Sequence, residues 1–406
     1  FFFKQKTAYE IVDCDWSSDV CSSDLEGLPI FLAALNMRAG IVLISPLVPI
    51  IKSYFHINNL AVSILAGIPV LCFSASSILM TFVNRLGGSN RVIRFALYAL
   101  TVGLIGRMFG GLFGLFFFTL VVGISIAIMN YEIPTWIKEH APDQTGAMTG
   151  AYVTLMGICA GFAVAISVPL AKLSTLSWRG SMIPWVVTAL IASLYWNRKK
   201  VLVSNKSIEN SVPFWQTKMF KNPIAWSLVL FFGFQSIMFY GTATWLPTIL
   251  TTKGFSLELG ALYISIAGII GSLVGLTVPH YLSKLKDKRR ILIFLAFLQT
   301  FSYFMMIQQR GHIIFFWLLL TNIGMSIQFP VGLMMAGLKT KTIAETRALS
   351  TMMQSIGYLI AALGPTYIGT IFDITQSWNW ALVGIAIISL GLAFFSFVIG
   401  KDSIIQ

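Results

Sequence analysis

Arg38 is the side chain in this sequence with the most chemistry to offer, because it stands alone in a long run of apolar and small residues. A guanidinium at the centre of a hydrocarbon slab costs about 2.5–3.5 kcal/mol on the insertion scale, so it must face a bundle interior and meet a partner there. Its planar fork suits a carboxylate or another small anion arriving from water; an acid on a neighbouring helix would also serve. Glu132 is the acid that the same part of the chain supplies, six residues before Lys138. It reads either as an interfacial carboxylate, hydrated or paired with Lys or Arg, or as a coupling proton carrier. In the second case its proton affinity rises with desolvation and falls when Arg38 approaches. Two polar stripes add to the set. Gln235, Ser236, Phe239 and Tyr240 share one helical face, and Gln354, Ser355 and Tyr358 share another. Polar groups in lipid must find partners, so both stripes point inward, either as glue between helices at about 0.6 kcal/mol per bond or as the lining of a cavity. Tyr152 is a further candidate of that kind.

The elements that must hold these groups follow from composition. The chain has 406 residues, of which 56% are hydrophobic and 11% charged, with a mean hydropathy of +0.80. Soluble domains carry about 25% charged residues, so an ordinary water-soluble enzyme is excluded. A net charge of +13 would suit a nucleic-acid binder, but the cations fall in short clusters between apolar runs rather than on one soluble face. No nucleic-acid partner is expected; topology and anionic headgroups account for the basic loops.

Apolar runs near the 20 or so residues that a spanning helix needs lie at 28–52, 58–83, 92–108, 111–136, 146–172 and 179–196. They resume at 223–250, 257–283, 290–307, 313–337, 346–371 and 378–400. The fold class read from this is an all-α membrane protein with twelve transmembrane helices. Of the 26 Lys and Arg beyond residue 25, 19 lie in the loops after even-numbered spans or in the C-terminal tail. Positive residues stay inside, which sets both termini and the central loop on the cytoplasmic side.

The halves also repeat. Gly123 and Lys138 recur as Gly324 and Lys339 at an offset of 201, the loop 84–93 recurs as 283–292 at 199, and Pro49 recurs as Pro247 at 198. Near-constant offsets indicate two pseudo-symmetric six-helix bundles in parallel orientation with a path between them. The expected units are 26–196, a cytoplasmic linker at 197–222, 223–400, and a short tail at 401–406. Pro46, Pro134, Pro169, Pro247, Pro330 and Pro365 supply kinks suited to gates at both ends.

Residues 1–25 stand apart. They carry five acids against two lysines and no apolar core flanked by basic charge, so they do not form a signal peptide. The strings FKQKTAYEI and DWSSDVCSSDL resemble a translated sequencing adapter, and the stretch is expected to be artefactual and disordered. Without it the cysteines are Cys72 and Cys159, neither a disulfide framework nor a metal set. The four histidines are scattered and no phosphate-binding glycine loop accompanies a strand–helix unit, so no metal, no cofactor and no ATP-driven step is expected.

Four patches, in order, resemble the major facilitator superfamily and, within it, the cyanate permease and 2-nitroimidazole transporter family. They are Asn36-Met37-Arg38 with Pro46; Asn130, Pro134 and Lys138 followed by TGAMTGAY (145–152); GFQSIMFYGTATWLP (233–247); and MQSIGYLIAALGPTYIGTIFD (353–373). The resemblance covers residues 28–400. It implies a cavity lined by Asn36, Arg38, Tyr152, Gln235, Ser236, Tyr240, Gln354 and Tyr358, and a cytoplasmic gating loop reduced here to Arg85, Gly87, Gly88 and Arg91, without the usual acid. Glu132 stands where the family often has an aliphatic residue.

These readings converge on a secondary active transporter, not an enzyme, working as a monomer in a bacterial inner membrane. It would move a small anionic or polar organic solute by alternating access, with protons as a candidate coupling ion. Two rivals are weighed against it. One is an efflux pump for neutral drug-like compounds. The other is a membrane-embedded transferase, which the longest loop disfavours because it offers no acid–base pair.

Overall fold

The computed structural model describes residues 20–76, 88–141, 145–198, 214–401 and 404–405. Arg85, most of the segment 1–25 and most of the 197–222 linker lie outside them. The helices are α1 (Val20–Val42), α2 (Val48–Phe55), α3 (Asn59–Ser74), α4 (Ser89–Phe109), α5 (Gly111–His140), α6 (Thr145–Leu173) and α7 (Ile183–Arg198). They continue as α8 (Pro223–Thr252), α9 (Leu257–Ser283), α10 (Arg289–Gln308), α11 (Ile314–Leu338), α12 (Ile343–Ala361), α13 (Leu363–Thr375) and α14 (Trp378–Ile399). Among the described residues ten helices are long and apolar enough to cross a membrane, and Asn59–Ser74 is a shorter apolar one. Helix α1 begins at Val20, so the last six residues of the segment expected to be disordered are helical. Extending an existing helix gains one hydrogen bond per residue fixed, without a new nucleus.

Local chemistry explains where the helices stop. The first apolar run is broken after Val42 by a 3₁₀ turn (Ser45–Leu47), where Pro46 has no N–H to continue the ladder. The run at 346–371 is broken at Ala362, with Pro365 in the first turn of α13, where a missing N–H costs nothing. Asn58, Asn222 and Ser256 cap α3, α8 and α9 with their side chains, and Thr342 with Glu345 forms a capping box on α12. Gly111, at φ +64, lets α4 reverse directly into α5, and a Cβ on Gly106 would strike the Phe118 ring at 2.4 Å.

Buried apolar side chains gather in two clusters, one drawn chiefly from α1–α7 and the other from α8–α14. The two meet along a pair of seams: α3 packs on α12 and α13, and α6 packs on α9. Under the sequence repeat α3 corresponds to α9 and α6 to α12–α13, so one seam is the other with the halves exchanged. Small residues allow the approach. A Cβ on Gly161 would fall 2.6 Å from Ile269, and one on Gly157 2.4 Å from Ser272. We term the end bearing the Phe55–Asn59 turn the distal end.

Candidate functional site between the helix clusters

Arg38 lies on α1 at the junction of the two clusters and is half-buried. Its guanidinium carbon stands 5.0 Å from the centroid of the Phe239 ring (α8) and 5.8 Å from that of Phe329 (α11). Both rings come from the half of the chain opposite to its own, and a partly desolvated cation–π contact is worth about 1–2 kcal/mol. The positive charge also lies within electrostatic reach of the phenols of Tyr152, Tyr240 and Tyr358.

The rings form a connected belt. Phe239 meets Tyr240 at 5.0 Å, Tyr240 meets Tyr358 at 6.4 Å, and Tyr358 meets Phe232 at 5.2 Å and Phe73 at 5.5 Å. Phe232 then meets Phe329 at 5.5 Å. Most of these pairs are edge-on, the arrangement that ring quadrupoles favour. The result is a belt of rings, phenol groups from three helices, and one guanidinium among them with five N–H donors to offer. Among the described residues Arg38 is held by rings and not by a carboxylate.

The sequence-derived candidates divide. Arg38, Tyr152, Tyr240 and Tyr358 come together, and Gln354 lies one turn before Tyr358 on α12, half-buried. Asn36 does not join them. Two residues before Arg38 it points about 200° away around the helix, fully buried, and the Thr188 hydroxyl of α7 donates to it at 2.9 Å. With its amide turned over, the nitrogen instead donates to the Thr188 hydroxyl and the Trp185 carbonyl at 2.9 Å each, and the oxygen accepts from the Ala189 N–H at 3.3 Å. Gln235 and Ser236 face inward but are engaged within their own half. Gln235 donates to the Met325 carbonyl of α11 at 3.3 Å, and the Ser236 hydroxyl donates to the Gln235 side-chain oxygen at 3.2 Å.

Glu132 is fully buried in α5, not hydrated at an interface. A Cβ on Gly40 would approach Val122 and Ile126, which fixes the register of α1 against antiparallel α5. Glu132 therefore lies roughly 6–9 Å along the helix axis from the Arg38 level, away from the distal end. The Trp136 indole donates to the Asn90 side chain at 2.6 Å. One turn further along both antiparallel helices come Glu132 and Arg94, level with each other. Arg91, in the first turn of α4, is exposed.

Phe329 and Phe232 were not legible as site residues, because an aromatic in an apolar run carries no mark of what it faces. Phe239 could have been found, since it shares the Tyr240 stripe. Arg107, in the last turn of α4, is 1% exposed, a burial that its place near a helix end did not reveal.

Comparison with known proteins gives a consistent outcome. The family model for the Major Facilitator Superfamily matches residues 30–365. The 2-nitroimidazole transporter of Escherichia coli (strain K12) is 31% identical over 95% of this chain and 100% of its own length. The uncharacterized transporter YycB of Bacillus subtilis (strain 168) is 30% identical over 90% of this chain and 91% of its own. The cyanate transport protein CynX of Escherichia coli (strain K12) is 23% identical over 90% and 96%. Among solved structures, a bacterial homolog to the human lysosomal transporter Spinster superimposes with a TM-score of 0.76 at 14% identity, covering 94% of this chain and 97% of that one. A D-xylose–proton symporter does so at 0.72 and 14%, covering 91% and 96%.

Proposed function

The chain belongs to the major facilitator superfamily, and from that premise we propose that it is a secondary active transporter in which Arg38 receives a small, planar, anionic or strongly polar organic solute. Membership makes it a multi-pass membrane transporter of small solutes; the class of solute and its path are the proposal. The observation that carries it is the position of Arg38, a half-buried cation clasped by Phe239 and Phe329 from the opposite half. The planar fork of a guanidinium matches a carboxylate or a nitro group bidentately. A solute bound there touches both halves at once. That is what alternating access requires of a central site, two six-helix bundles rocking about it. On this reading the chain makes twelve spans, both termini face the cytoplasm, and the distal end is periplasmic, as the distribution of basic loops requires.

The test is uptake and counterflow of small aromatic and aliphatic acids in proteoliposomes. Arg38→Ala is expected to abolish transport while leaving insertion and folding intact, and Arg38→Lys to retain a weak remnant, because an ammonium keeps the charge but not the fork. Full activity in Arg38→Ala would overturn the reading.

Proton coupling through Glu132 is the finer part of the proposal. Glu132→Gln is expected to flatten the pH profile of transport; an unchanged profile would remove the carrier role and leave Glu132 as the structural partner that its register with Arg94 suggests. The aromatic belt, together with a relative named for 2-nitroimidazole transport, favours one alternative, export of neutral aromatic compounds. Efflux of such compounds unaffected by Arg38→Ala would select it.

A further inference from the structure

The interior holds a second guanidinium that the solute site does not use. Arg107 of α4 is 1% exposed. Its Nη1 donates to the Gly40 carbonyl of α1 at 2.6 Å, and its Nε donates to the Thr119 hydroxyl of α5 at 3.0 Å. Gly40 belongs to the last turn of α1, whose carbonyls lack partners within the helix, so Arg107 caps the break in the first span. These two bonds use two of five N–H donors. Among the described residues no ion pair engages Arg107.

The rest of the group borders a partly open chamber of about 40 Å3, lined also by Ser45, Thr119, Tyr240 and Thr244 among apolar walls. The hydroxyl hydrogens of Ser45, Thr119 and Thr244 are spent on the carbonyls of Ala243, Leu115 and Tyr240. That leaves the guanidinium edge, with Tyr240 at the rim, as the donors available to an occupant. A buried charge without a counter-charge costs several kcal/mol, and a neighbouring helix terminus offsets only part of it. A cavity of this volume exceeds the roughly 10–15 Å3 that one water needs on the same measure, so the chamber has room for a small anion beside the guanidinium.

We propose that this chamber binds a compact monovalent inorganic anion of halide size against Arg107. The site adjoins the solute site at Tyr240, on its distal side, and the bound anion neutralises Arg107 so that Arg38 alone presents positive charge to the solute. Bromide is the probe. Crystals of the purified full chain grown in bromide are expected to show an anomalous peak beside Arg107. Replacing gluconate by bromide at fixed ionic strength should raise the melting midpoint by about 2 °C or more, both in the wild type and in Arg38→Ala, and not in Arg107→Gln. No peak at Arg107 together with no wild-type shift would overturn the proposal, as would a shift that survives undiminished in Arg107→Gln. Should Arg107→Gln not fold, the wild-type diffraction decides alone. Because the bromide response is independent of Arg38, failure of the transport reading and failure of this one are separable.

Discussion

At the scale of single residues, neighbours on one helix turn have opposite duties. Arg38 meets rings from the other half, while Asn36, about 200° around α1, ties that helix to Thr188 of α7. The two should therefore fail differently. Asn36→Ala is expected to lower the melting midpoint by removing bonds worth about 0.6–1.7 kcal/mol, with the KM for the solute unchanged. Phe239→Ala and Phe329→Ala are expected to do the reverse. Each loses about 1–2 kcal/mol of support for the guanidinium and weakens solute affinity about five- to thirty-fold, with little change in melting. Direct binding measurements on purified protein separate the cases. Asn36 and Arg38 look alike in the sequence, as two polar side chains in an apolar run. Only the 100° step of a real helix against fixed neighbours tells them apart.

Helices add a second layer, in which ends and close contacts carry the information. The capping box on α12 is joined by an ion pair, since Lys218 approaches Glu345 at 2.8 Å. Glu345→Gln keeps the reciprocal bond to the N-cap backbone and loses only the solvent-screened ion pair, which contributes little. Thr342→Ala removes the cap itself and is expected to cost about 1 kcal/mol, visible as the larger drop in thermal stability. The α6–α9 seam is the more sensitive element. Gly161→Val puts branched carbon where a Cβ already stands 2.6 Å from Ile269, and is expected to hold the halves apart and reduce transport even where the protein inserts normally. The breaks at Pro46 and Pro365 were legible from residue type. The seam was not, because the sequence does not say which of many small residues meets a partner helix.

For the whole molecule, the distal end is fastened across the halves. The Ser45 hydroxyl donates to the Ala243 carbonyl, the Asn59 amide to Asp373, and the Ser63 hydroxyl to the Pro365 carbonyl at 3.0 Å. Lys52 supports Asn59 at 2.6 Å, and Lys172 pairs with Glu258 across the other seam. If access alternates, these contacts must part in every cycle. Cysteines at positions 45 and 243 are expected to stop transport when oxidised and to restore it when reduced. Asp373→Ala should increase labelling of a cysteine placed at Thr244 by a membrane-impermeant reagent added from the periplasmic side. Labelling that does not change would show that this end opens by another route.

The sequence by itself determined the solvent, the type of element and its near-doubling, because twenty-residue apolar runs, basic loops and constant offsets are properties of the chain read along its length. It also singled out Arg38, since a lone cation in hydrocarbon is costly wherever the helix turns. The tertiary structure decided which groups share a space. It brought Phe239 and Phe329 to Arg38, sent Asn36 and Gln235 to neighbouring helices, and buried Arg107 beside a second cavity. Those outcomes depend on helix rotation and on register between segments hundreds of residues apart. No local pattern encodes either, because both are fixed only when all the helices pack at once.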